Sequence, residues 1–86
     1  MNRDKTTKPE RKPRTLKEAH ELLMRLRPRE DASLEAWLRY RQRSAALYAE
    51  IADIDRFHHH EARYWAELEQ ETAKKIAAQI SAEKSQ

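Results

Sequence analysis

His58-His59-His60-Glu61 is the densest run of metal-capable side chains in the sequence. Imidazole and carboxylate together suit zinc or iron. Spacing argues against such a site. Ligands that converge on one ion from a helix stand three or four residues apart, whereas consecutive residues splay by about 100°. Only His58 and Glu61 share a face. Their order reverses the E-x-x-H pair of di-iron bundles, and no second such pair follows. No metal and no cofactor are therefore expected, and a His-dependent metal protein is the least favoured alternative. His58 is instead expected to pack near Trp65. Charged histidines are disfavoured at a helix N-terminus, so acid is expected to loosen this corner. His20, on the edge of another apolar face, reads as a partly buried structural histidine.

Covalent catalysis finds no footing either. The sequence has no cysteine and few hydroxyls, and a nucleophile needs a base, an orienting group and a pocket. It also has no glycine, which removes Gly-rich phosphate loops and dinucleotide fingerprints. The expectation is a non-enzyme. The stretch WLRYRQR interleaves aromatics with arginines in a way that resembles single-strand nucleic-acid binders. On a helix, however, Trp37, Tyr40 and Tyr48 fall on one stripe while Arg39 and Arg43 point away. Arg41 points into the stripe. It is expected to snorkel to the rim, or else to stack on Trp37 or Tyr48 and pair with a carboxylate of another helix.

Three helices are expected to position these groups. Thr15 and Glu18 form a T-x-x-E capping box at the start of the first helix, residues 16–27, whose apolar face is Leu16, Ala19, Leu23 and Leu26. Pro28 disfavours helix before it. Ser33 is the expected cap of the second helix, residues 34–53, with Asp31 as the alternative. Neither Gly nor Pro interrupts the pattern, so one unbroken helix from Leu34 to Ser81 is the alternative, but a break is expected at residues 55–58, because Asp53 and Asp55 sit badly at a helix C-terminus. Asp55 would instead cap the third helix, which runs from His58 or His59 to about Ser81. Its stripe reads Trp65, Leu68, Thr72, Ile76 and Ile80, with Ala62, Ala66, Ala73 and Ala77 beside it. The fold class is all-α, with the second and third helices as a long antiparallel hairpin and the first packed across it.

Residues 1–14 carry six Lys or Arg against Asp4 and Glu10, with no apolar residue after Met1. They read as a disordered basic arm before a helical domain at 15–82 and a frayed tail at 83–86. Net charge is +3, positive up to Arg43 and negative beyond it. No apolar run approaches the roughly 20 residues that span a bilayer. No hydrophobic segment follows the charged start, so the expected location is the cytoplasm.

Two resemblances bear on the corner. Ile54-Asp55 followed by Glu61-Ala62-Arg63-Tyr64 resembles a junction between tetratricopeptide repeats, with Arg56 in place of the usual proline and the packing glycine missing. No 34-residue period recurs, so a repeat protein is not implied. Thr15-Leu16-x-x-Ala19-His20, Arg27-Pro28, Ala36-Trp37-Leu38, Tyr48-Ala49-x-Ile51-Ala52 and His58-His59-His60-Glu61-Ala62-x-Tyr64-Trp65-Ala66 resemble short actinobacterial helical proteins with no assigned activity. That group often has a turn-forming residue where Phe57 stands. The resemblance implies a bacterial cytoplasmic setting.

These readings converge on a small non-catalytic interaction or accessory module of unidentified partner. Its expected anchors are Trp37, Tyr40, Arg41, Tyr48, His58, Tyr64 and Trp65, since aromatics and Arg dominate binding hot spots. The alternative is weak nucleic-acid binding through Arg11, Lys12, Arg14, Arg25, Arg27, Arg29, Arg39 and Arg43. Self-association as a homodimer is also expected, along the strip Ala62, Ala66, Ala73 and Ala77 with Leu68 and Ile76 beside it. Ala73→Glu is then expected to give a helical monomer.

Overall fold

A computed structural model describes residues 12–85. The fold is all-α. Helix α1 spans Leu16–Leu26, α2 spans Leu34–Ile54 and α3 spans His59–Lys84, with a single 3-10 turn at Arg56–His58 between the last two. Helices α2 and α3 form the expected antiparallel hairpin, and α1 lies along α2. No helix among the described residues is long and apolar enough to cross a membrane. The expected arm lies mostly outside the described residues. Its last part, Lys12 to Arg14, packs onto the domain: Lys12 pairs with Glu50 at 3.0 Å and Pro13 is half-buried.

Local sequence explains the helix ends. Thr15 Oγ1 accepts the Glu18 N–H at 3.1 Å, the first half of the capping box. The second half shifts by one residue, because the Glu18 carboxylate accepts from Arg14 N–H at 2.8 Å. Arg27 is extended (φ −60°, ψ 129°), the conformation a residue before proline prefers. Ser33 Oγ accepts the Ala36 N–H at 3.1 Å.

The break at the corner is where the charge pattern places it. Asp55, with ψ near 81°, leaves the helical path, and His58 N–H bonds back to its carbonyl at 2.9 Å. The side chain of Asp55 does not cap α3 as expected. Its Oδ2 accepts the Leu16 N–H of α1 at 2.8 Å. A carboxylate at the negative end of α2 is better placed against the unpaired amides that open α1.

The core lies under α1, between it and the hairpin. Ala19, Ile51 and Ala62 are fully buried, joined by Leu16, Leu23, Tyr40, Tyr48, Ala52 and Ala66. On α3 the buried face is Ala62, Ala66, Glu69 and Ala73, not the stripe of large residues. Leu68 is 41 % exposed, while Trp65, Thr72, Ile76 and Ile80 are half-buried. The reason is volume: Tyr40 and Tyr48 of α2 already fill the interior, so small residues opposite them let the backbones approach. Most of the expected homodimer strip is thereby used within one chain. Ala77 alone of the four is exposed.

Candidate interaction surface

Beneath α1, Tyr48 is the hub of an aromatic cluster. Its hydroxyl lies 2.7 Å from His20 Nδ1. The His20 ring stands edge-on to both Tyr48 and Trp65, with centroids 5.4 and 5.5 Å away. Trp65 stacks on Tyr48 at 6.1 Å. Tyr64 continues the cluster outward, edge-on to Trp65 at 5.6 Å. Burial, helped by the Glu69 carboxylate, pushes the Tyr48 phenol up to about 12. His20 is thus the structural histidine expected. It is also the histidine that touches Trp65, a role expected of His58.

A second cluster surrounds Trp37. Its indole N–H donates to the Arg29 carbonyl at 3.2 Å. The guanidinium groups of Arg27 and Arg41 lie 5.1 and 5.2 Å from its ring centroid. Arg41 does not snorkel. Its Nη1 donates to both carboxylate oxygens of Glu69, at 3.0 and 3.2 Å, and its guanidinium also sits over Tyr40. Arg41 Nε is buried with no hydrogen-bond partner. A carboxylate on α3 at the level of Arg41 gives the cation a partner inside the hairpin, which outweighs reaching for water. Glu69 carried no signal in the sequence beyond its place beside the alanine strip.

The three corner histidines diverge. His58 Nδ1 lies 2.9 Å from Asp55 Oδ2. His59 Nδ1 carries a proton and donates it to the Ala52 carbonyl at 3.0 Å, since a carbonyl only accepts. His60 is exposed, its ring edge-on to that of His59 at 4.9 Å. Among the described residues no group of three or more His, Cys, Asp or Glu is placed to hold a metal ion. The Asp55 carboxyl is held below the usual carboxylate range, chiefly by the Leu16 N–H and next by His58.

The expected anchors divide by accessibility. Tyr40 and Tyr48 are core, Trp37, Arg41 and Trp65 are half-buried, and His58 and Tyr64 are exposed. Phe57, not among them, is 98 % exposed in the turn between α2 and α3. Ile54, Tyr64 and Leu68 are also large exposed residues of the corner and the adjoining turns of α3. The basic residues of the nucleic-acid alternative are only partly gathered. Lys12 and Arg43 line one groove between α1 and α2, and Lys12 is neutralised by Glu50. Arg29 pairs with Asp31 at 3.3 Å, and Arg27 is on Trp37. Arg14, Arg25 and Arg39 are exposed, and Arg11 lies outside the described residues. No protein-family model, no curated protein and no solved structure matches the chain.

Proposed function

We propose that the chain is a non-catalytic interaction module that meets its protein partner through the α2–α3 corner. The observation that carries this reading is Phe57, a large apolar side chain held almost wholly in water by an ordered turn. Burying a side chain of this class is favourable by roughly 1.5–3 kcal/mol, which a partner covering it would gain. Ile54, Tyr64 and Leu68 are further large exposed side chains at the corner and in the first turns of α3, and Arg56, His60 and Arg63 are exposed polar residues of the same segment. The homodimer expected from the sequence would use this same surface, because Ala62, Ala66 and Ala73 are covered by α2. The test places a photo-crosslinking residue at position 57, at position 64 and, as a control on the outer face of α2, at position 39. Discrete adducts at 57 and 64 but not at 39 support the reading, and their mass separates a second copy from a foreign protein. Equal yields at all three positions would overturn it.

A further inference from the structure

Helix α3 buries one face against the rest of the chain, Ala62, Ala66, Glu69 and Ala73. At about 100° per residue, the side of the helix away from Ala66 and Ala73 is formed by Tyr64, Leu68, Glu71, Lys75, Ala78 and Ala82. All six are exposed. Their spacing alternates between four and three residues. That is the period of a coiled-coil seam, whose members recur about every 3.5 residues and so keep facing one partner helix. Tyr64 and Leu68 are its large members, 59 % and 41 % exposed.

The seam is its own complement when reversed. A two-fold axis level with Ala73 sets Tyr64 of one copy beside Ala82 of the other, and Leu68 beside Ala78. Large residues meet small ones in both halves of the contact, and none meets its like. The same operation sets Glu71 beside Lys75, once on each side of the axis. Lys75 has no ion partner among the described residues, and Glu71 is reached only by Lys74, at 3.6 Å. Two parallel helices in register would lose these matches. Glu71 would face Glu71 and Lys75 would face Lys75, and such like-charge contacts are unfavourable. Contact with water asks for no such match of size and charge under reversal.

We propose that a second copy of this chain packs antiparallel along the outer face of α3, with Tyr64 and Leu68 seated on Ala82 and Ala78 of that copy. The inference rests on the chain being an interaction module and names the occupant of one of its surfaces. Phe57, in the turn before α3, stays outside the seam and open to a different protein. From Tyr64 to Ala82 the contact runs about 27 Å, at 1.5 Å per residue. Each copy brings two large side chains to it, which fits a weak, exchanging dimer and not an obligate one. The exposed Glu71–Lys75 pairs set its direction more than its strength.

The test is sedimentation equilibrium of the full chain, with substitutions at exposed positions that leave the core untouched. Wild-type protein should form a dimer whose mass stops at two copies, since a two-fold contact closes on itself. Glu71→Lys sets lysine against lysine across the axis, and Lys75→Glu sets glutamate against glutamate. Each should weaken the dimer by at least about tenfold. An equimolar mixture of the two variants regains both opposite-charge pairs and should form a heterodimer close to wild-type strength. A chain carrying both substitutions should do the same with itself. Ala78→Trp fills the space for Leu68 and should abolish the dimer. A wild-type monomer at every concentration overturns the proposal. So does a dimer that both charge variants and Ala78→Trp leave unchanged, or a mixture of the charge variants that stays monomeric. Phe57→Ala keeps the two readings apart. Loss of the dimer with that change overturns the seam in favour of the corner, whereas an intact seam dimer with no adduct at position 57 sinks the corner alone.

Discussion

Arg41 and Glu69 make the most consequential single contact of the hairpin. Arg41 is attached to an otherwise apolar stripe, and Glu69 to a strip of alanines. Their side chains retain only 20 % and 11 % exposure. A pair this enclosed costs more to break than to replace, because a lone partner is left charged and desolvated. Glu69→Ala should therefore destabilise the fold by about 3 kcal/mol in urea unfolding, the low end for buried pairs. Arg41→Met combined with Glu69→Leu should cost far less, since no charge is then stranded and Trp37 and Tyr40 keep an apolar neighbour. Equal losses from the single and the double change would show that the contact matters for packing alone. The unsatisfied Nε of Arg41 points the same way: the pair is tolerated inside the hairpin, and its removal as a unit relieves a buried polar atom.

At the scale of the elements, two contacts decide how the helices sit. The first is the alanine seam of α3. Ala73 is 8 % exposed and faces α2. Ala73→Glu is thus expected to open the hairpin, destabilising it by more than about 2 kcal/mol through overpacking and a buried charge. Circular dichroism should show lost helicity. A well-folded variant with unchanged unfolding midpoint would place α3 in another rotation. The second contact is the tie from Asp55 to α1. Its folded pKa lies below the ordinary carboxylate value near 3.8. The contribution is therefore complete above that value and is lost as pH falls through the depressed pKa. Acid titration should accelerate hydrogen exchange in α1 before the hairpin melts. Asp55→Ala should remove that acid-dependent step and loosen α1 at neutral pH. An unchanged acid limb in Asp55→Ala would assign the step to another group.

The whole molecule combines a short α1 laid over the core with a long hairpin that bears its exposed aromatic at the tip. Stability and association are consequently separable. Phe57→Ala should change the unfolding free energy by no more than about 0.5 kcal/mol, as for surface positions without buried contacts. The same change should abolish partner binding if the corner is the contact surface. That binding should vary little with salt, in contrast to phosphate-driven association, which weakens steeply. A loss of stability with Phe57→Ala, or binding that collapses between low and moderate salt, would shift the contact from the aromatic corner to the basic side chains.

What the sequence by itself determined is local. The Thr15 and Ser33 caps, the stop before Pro28, the break after Ile54 and the all-helical character each depend on residues within a few positions of one another, and each is found where the pattern places it. Tertiary structure alone decided the rotation of α3, the partner of Arg41 and the target of Asp55. On α3 the large stripe and the alanine strip share one helical period, so periodicity cannot choose between them. The choice falls to the volume of Tyr40 and Tyr48 across the seam. Arg41 and Asp55 each had a reasonable local alternative, the rim for one and the next helix for the other. Both were drawn instead to groups 28 and 39 residues away in sequence. Charged side chains respond to the strongest complementary group in space, and chain distance carries no information about that.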